Sequence, residues 1–197
     1  MKFLQNIPPY LFFAGKGGVG KTSISCATAV RLAEQGKRVL LVSTDPASNV
    51  GQVFDQAIGN TIRPVTAVPG LSALEIDPQE AAQQYRARIV DPIKGLQPDD
   101  VVNSISEQLS GACTTEIAAF DEFTGSLTDA SLLTRFDHII FDTAPTGHTI
   151  RMLQPPGAWS SFIESNPDGG VSCLGPIAGL EKRREQYTHA VEALHGY

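Results

Sequence analysis

The stretch that decides the fold runs from Tyr10 to Gln35: Tyr10-Leu-Phe-Phe-Ala14, then Gly15-Lys-Gly-Gly-Val-Gly-Lys-Thr22, then SISCATAVRLAEQ (23–35). The middle segment fits the phosphate-cradling pattern G-x-x-x-x-G-K-[ST], with Gly15, Gly20, Lys21 and Thr22 in the defining places. Gly17 and Gly18, lacking Cβ, let backbone N–H groups turn inward around an anion, and Val19 sits among them. Lys21 suits the β- and γ-phosphates, and the Thr22 hydroxyl suits Mg²⁺. A second lysine, Lys16, stands near the loop's start. The apolar run before the loop reads as a buried strand, and the small-residue run after it as a helix capped at Gly36. That helix points its positive end at the same phosphates.

Outward from this unit, Val39-Leu-Leu-Val-Ser43 is a continuous apolar strand ending at Thr44-Asp45-Pro46. Strand, helix and strand make a βαβ unit. A third strand is expected at Ala73–Asp77. Helices are expected from Pro78 (with the proline in the first turn), over Asp99–Leu109, and over Thr115–Leu133 with Ile117, Phe120 and Leu127 apolar. His138-Ile-Ile-Phe-Asp142 reads as a buried strand with a carboxylate at its end. Further helices are expected over 147–153 and 180–194, around a loop-rich 154–178. The alternation implies an α/β fold, a parallel sheet with helices on both faces. Ligands in such sheets gather at the carboxyl ends of the strands, where the Gly-rich loop, Asp45 and Asp142 all fall.

Composition narrows the function classes. The 197 residues suffice for one domain with a sizeable core. Fifteen Lys+Arg against 21 Asp+Glu give a net charge of −6, which argues against a surface devoted to nucleic acid. No apolar run approaches the roughly 18 residues of a membrane span, and MKFLQNIPPY lacks the apolar core of a secretory signal. A cytoplasmic location is expected. Cys26, Cys113 and Cys173 are widely spaced, so reduced thiols are the expectation. Cys26, on the small apolar face of the first helix, reads as a core residue.

Two carboxylates have a chemical reading and a plain one. Asp142 follows a strongly apolar strand, as a Mg²⁺-side acid beside a phosphate loop would; a strand-ending turn cap is the plain reading. Asp45 either orients or deprotonates an attacking water or holds a water on Mg²⁺; an Asp-Pro turn is its plain reading. The segment Asp142–Thr149 is rich in loop formers and hydroxyls and can serve as a loop that senses the γ-phosphate.

Taken together, GKGGVGKT, STDPASN (43–49) and FDTAPTGHT (141–149) resemble the family of arsenical pump-driving and tail-anchored-protein-targeting ATPases, a branch of the deviant (SIMIBI-type) phosphate-loop NTPases. GACTTE (111–116), AAFDEF (118–123) and SCLGP (172–176) are similar to the bacterial arsenite/antimonite-translocating members, so the resemblance runs over essentially the whole chain. It implies ATP hydrolysis stimulated by arsenite or antimonite, energising metalloid efflux through a membrane carrier. ATP and Mg²⁺ are the implied cofactors. Lys16 would reach the nucleotide of a facing half, Lys21 and Thr22 would serve phosphate and Mg²⁺, and Asp45 and Asp142 would lie on the Mg²⁺ side. Cys113, Cys173 and His148 would be the metalloid ligands, in keeping with the thiophilicity of trivalent arsenic and antimony.

The same resemblance implies a peripheral place at the inner face of the plasma membrane. The implied partners are the efflux carrier, an arsenic metallochaperone, and a second ATPase half or another copy of the chain. The expected organisation is a single, incomplete phosphate-loop domain over 1–197: the N-terminal part of the first of two halves, truncated at the C-terminus, with a helical insertion at about 78–133. The isolated chain is then expected to hydrolyse ATP poorly. Two other functions share the loop. A targeting factor for tail-anchored membrane proteins would want a Met-rich groove, and the chain has only Met1 and Met152. A partition or division-site ATPase would want a basic patch, and the Lys182-Arg183-Arg184 cluster is flanked by acids. An iron–sulfur reductase with Cys113 as a bridging ligand is a further reading.

Overall fold

The computed structural model describes residues 7–45 and 49–143, with the side chains of 112, 113, 116, 120, 127, 128 and 130 outside that description. Expectations for 147–153, 154–178 and 180–194 fall outside the described residues. The chain divides into two compact units, the first comprising described residues 7–77 and 129–143, the second 78–128.

The first unit is built on five strands: β1 (Tyr10–Phe13), β2 (Val39–Ser43), β3 (Arg63–Pro64), β4 (Leu71–Glu75) and β5 (His138–Asp142). Their order in the sheet is β1-β5-β2-β4-β3. The central strands are the most apolar, as strands covered on both faces must be. Val39, Leu40, Leu41 and Val42 of β2 and Ile139, Ile140 and Phe141 of β5 are all 0% exposed. Each such side chain contributes about 2 kcal/mol of burial. Parallel pairing joins β1 to β5, β5 to β2 and β2 to β4.

Helix α1 (Lys21–Glu34) packs small residues against this sheet, with Cys26, Ala29 and Ala33 in the core beside Val39, Leu41 and Ile140. It ends as Gly36 suggests. Gly36 adopts φ +81°, its N–H bonds Ala33 O at 2.9 Å, and Lys37 N–H bonds Leu32 O at 3.1 Å. Those two bonds are a Schellman cap. A four-residue helix, α2 (Val50–Val53), follows β2.

Three expectations are corrected here. The third strand lies at Leu71–Glu75, two residues before Ala73–Asp77, because Leu71 pairs with Val39 at the first rung of β2. The helix expected over Thr115–Leu133 is two helices, α5 (Ala112–Thr128) and α6 (Ala130–Arg135). Asp129 separates them: at φ −72°, ψ 94° it leaves the helical region, and its carboxylate accepts the N–H of Ser131 as an N-cap. The sheet is mostly parallel rather than wholly so, since the two-residue β3 runs antiparallel to β4 at the edge.

The second unit is helical. It holds α3 (Pro78–Val90), a 3₁₀ turn at Asp91–Ile93, α4 (Asp99–Gln108) and α5. Ala81, Ala82, Tyr85, Val90, Val102, Leu109, Ile117 and Ala118 form its core. Arg88 of α3 reaches Asp121 of α5 at 3.1 Å and Glu122 at 3.7 Å. Among the described residues no helix is long and apolar enough to cross a membrane.

Candidate nucleotide-binding site

The Gly-rich loop leaves the carboxyl end of β1 and closes onto the first turn of α1. Gly18 (φ +74°) and Gly20 (φ +88°) hold left-handed conformations that cost an ordinary residue about 1–2 kcal/mol each. Gly20 is also the N-cap of α1 and offers no side chain there, so the helix's first amides carry no side-chain cap bond. That leaves donors for an anion. Lys16, Gly17 and Val19 are exposed on the loop, and Gly15 is half-buried. Lys21 is only 9% exposed, and its Nζ donates to the carbonyl of Lys16 at 3.3 Å. The loop thus holds its own ammonium group close to its backbone.

Thr22 and Asp142 lie 120 residues apart in sequence and meet in space: Thr22 Oγ1 donates to Asp142 Oδ2 at 2.7 Å. Parallel pairing of β1 with β5 sets up this encounter, because it brings Asp142 opposite Phe13, just before the loop. Asp142 is wholly buried, and its Oδ1 has no hydrogen-bond partner. Among the described residues the only other such atoms are the two of the uncharged Asn60 carboxamide. Burial pushes the Asp142 carboxyl above its ordinary pKa of 3.8; the Thr22 bond pulls the other way, and Asp45 adds to the rise while Lys21 opposes it.

Asp45 is half-buried, just past the end of β2, with its N–H on Ser43 Oγ at 3.4 Å. Thr44 N–H bonds Asp142 O at 2.9 Å. Thr143 is held to the carbonyl of Phe13 by both its N–H (3.2 Å) and its hydroxyl (2.8 Å). The loop, Thr22, Asp45 and Asp142 are therefore gathered at the carboxyl edge of one sheet.

The donors suit Mg²⁺. A buried carboxylate oxygen without a partner, beside a hydroxyl and a second carboxylate, is an oxygen set for a hard cation. Mg²⁺ takes few protein ligands when phosphates supply the rest, so it needs no larger cluster. Among the described residues no group of three or more His, Cys, Asp or Glu side chains is gathered.

The remaining sequence candidates stand apart. Cys26 is buried, and burial pushes its thiol up to about 12, which leaves it protonated and inert. Cys113 falls in the first turn of α5, with its side chain outside the described residues. His148 and Cys173 lie wholly outside them. Two further residues at this edge escape sequence reasoning: Ser43, which supports Asp45, and Glu75 at the end of β4. With the strand placed two residues late, Asp77 stands at its end instead.

With this geometry in view, comparison with known proteins is decisive. The family described as anion-transporting ATPase matches residues 9–174. The chain belongs to that family. It is 92% identical over 194 residues to the arsenical pump-driving ATPase of Acidiphilium multivorum, covering 98% of the chain and 33% of that relative. It is 90% identical to an arsenical pump-driving ATPase of Escherichia coli, with the same coverage. The ATPase get3 of Aspergillus terreus is 40% identical over 151 residues, which are 75% of the chain and 43% of that protein. The chain spans about a third of the length of the arsenical pump-driving relatives.

Proposed function

We propose that the chain is the nucleotide-binding part of an ATPase that drives arsenite and antimonite export. One observation carries the reading: the Gly-rich loop closes onto Thr22, whose hydroxyl meets a buried, half-satisfied Asp142. The names of the most similar relatives supply the biological direction.

The loop amides of 15–22 and the start of α1 hold the phosphates. Lys21 gives up its bond to the Lys16 carbonyl and places its charge on the β- and γ-phosphates, while Lys16 serves the nucleotide of a second half or copy. Thr22, Asp45 and Asp142 are the residues that would hold Mg²⁺, which when bound neutralises charge on the β- and γ-phosphate oxygens. Asp45 orients the attacking water. Water adds to the γ-phosphorus, the bond to the β–γ bridging oxygen breaks, and ADP and phosphate leave. Cys113, His148 and Cys173 are the proposed metalloid ligands. The second unit is proposed as a helical insertion in a single phosphate-loop domain, and the working place as the cytoplasmic face of a membrane carrier, with an arsenic metallochaperone as supplier.

The test measures binding of a fluorescent ATP analogue, and ATP turnover with and without antimonite, for the chain alone and mixed with the remaining length of its relatives. Lys21→Ala is expected to weaken nucleotide binding by about 100-fold, the loss of a charged hydrogen-bond donor. Cys113→Ser is expected to remove antimonite stimulation and keep the basal rate. Tight binding by Lys21→Ala would sink the nucleotide assignment; stimulation surviving Cys113→Ser would sink the metalloid one.

A further inference from the structure

The last rungs of three adjacent strands carry polar side chains in a row. Ser43 of β2 pairs with Asp142 of β5 on one side and with Glu75 of β4 on the other. Asp142 and Ser43 already have a place in the site. Glu75 has none, yet it makes the more unusual contacts.

The segment that leaves β2 carries Asp45 and is fixed at its front by Thr44 N–H on Asp142 O and by Asp45 N–H on Ser43 Oγ. Beyond residues 46–48, which lie outside the described residues, the chain is held from across the sheet. Glu75 Oε1 accepts the N–H of Val50 at 3.1 Å and of Gly51 at 3.4 Å. These are first-turn donors of α2, and Asn49, its N-cap, makes no side-chain bond to them. A four-residue helix is too short to be stable by itself, so an external carboxylate at its start decides where it sits. The seat is tailored. A Cβ on Gly51 would come within 3.0 Å of the Gln56 carbonyl and 3.3 Å of Glu75 Oε2, so glycine leaves the room the carboxylate uses. Val50 is 0% exposed, which locks the same turn from its apolar side.

We propose that Glu75 is a positioning residue for the nucleotide site: by holding Val50 and Gly51 it anchors the chain five residues after Asp45 and so helps set that carboxylate toward the phosphates and Mg²⁺. It touches neither. This rests on the nucleotide reading above and adds to it a residue that lies in none of the motifs the sequence offers. The carboxylate acts through backbone, so its loss is felt in the metal-dependent part of binding and not in the grip of the Gly-rich loop.

The experiment compares the 197-residue chain with Glu75→Ala and Glu75→Gln. Amide hydrogen exchange, read residue by residue by NMR without nucleotide, is expected to quicken at least about tenfold at Val50 and Gly51 in Glu75→Ala. Unchanged exchange overturns the clamp whatever the nucleotide data say. Affinity for a fluorescent ATP analogue is measured in Mg²⁺ and in EDTA. The gain from Mg²⁺ is expected to shrink about tenfold in Glu75→Ala, as for other supporting residues around a metal, with EDTA affinity held within about twofold. An equal fall in both conditions marks a structural cap alone and overturns the proposal, as does no fall. Glu75→Gln keeps an accepting oxygen at the same reach and is expected to restore protection and most of the Mg²⁺ gain. If the parent chain itself shows no Mg²⁺-dependent binding, the nucleotide reading fails, an outcome distinct from a parent that responds and a variant that matches it. Should Glu75→Ala not fold, Glu75→Thr, equally too short and well suited to a strand, takes its place.

Discussion

Two aspartates mark the ends of β5, Asp137 just before it and Asp142 as its last residue, and those ends treat them in opposite ways. Asp137, just before the strand, is at the solvent surface and accepts from Arg38 three times: backbone N–H at 2.8 Å, Nη2 at 2.7 Å and Nε at 3.4 Å. Arg38 also donates Nη1 to Thr134 O at 2.9 Å. This holds the Asp137 carboxyl down at about 2, the Arg38 side chain being the largest cause. Asp142, the last residue of the same strand, is wholly buried, has one bonded oxygen and one bare one, and is pushed up by burial. The amino end of the sheet is electrostatically finished. The carboxyl end is left incomplete, at a cost in stability, and a bound cation with its phosphates is what would complete it. On the function proposed above, the difference separates a carboxylate that holds the fold from one kept for chemistry.

The sharpest way to break this comparison is Asp142→Asn. The amide keeps the shape of the side chain and still accepts from Thr22. With the remaining length of its relatives present, it is expected to lower Mg²⁺-dependent nucleotide turnover by about 100-fold, the upper range for residues supporting a metal. Thermal stability is expected to hold or rise, because a buried charge without a full partner set has been removed. Turnover kept near the parent's level, or a large fall in melting temperature, would make Asp142 an ordinary structural cap.

The reasons why one end is readable in sequence and the other only in part are physical. Short, continuous apolar runs such as Val39–Val42 and Ile139–Phe141, bounded by polar residues, read as strands covered on both faces, so β2 and β5 fall where the sequence implies. The Gly-rich loop is legible because its chemistry lies in backbone amides and needs only glycines and two fixed side chains. The Thr22–Asp142 bond spans 120 residues and exists only once β1 and β5 pair. Glu75 is not legible as the last residue of β4, because the apolar–polar alternation runs on through Ile76 and Asp77. Ser72 within that strand and the Ile76 N–H bond to Ser43 O just past it blur the pattern in both directions. Arg63–Pro64 has no strand signature at all; only the neighbouring β4 makes it one. The break at Asp129 is a capping event inside a stretch whose apolar spacing continues, so periodicity alone runs through it. The metalloid candidates depend on resemblance, since distant cysteines carry no spacing signal.

The pH dependence of stability sharpens the comparison at intermediate effect. A carboxyl raised in the folded state binds its proton more tightly there than in the unfolded chain. Its contribution is therefore fully present below the ordinary value of 3.8 and is lost as pH rises through the folded value. Asp142 thus makes the nucleotide-free protein less stable with rising pH. Denaturant midpoints for parent and Asp142→Asn, measured from pH 4 upward, are expected to diverge over that rise, the variant losing less. Parallel curves would mean that Asp142 is not strained by burial.

The smallest effect belongs to the other end, with the opposite sign. Asp137 is lowered in the folded state, so its contribution is present above 3.8 and fades as pH falls toward about 2. Asp137→Asn is expected to lower the denaturant midpoint slightly at neutral pH, and this deficit is expected to shrink between those two values. The effect is small because water and salt screen an exposed pair, and added salt should reduce it further. Nucleotide binding is expected to stay unchanged, since Asp137 and the Gly-rich loop lie at opposite ends of the strands. A variant that lost nucleotide affinity along with its midpoint would show that the finished end of β5 also tunes the unfinished one, and the division drawn between the two aspartates would not stand.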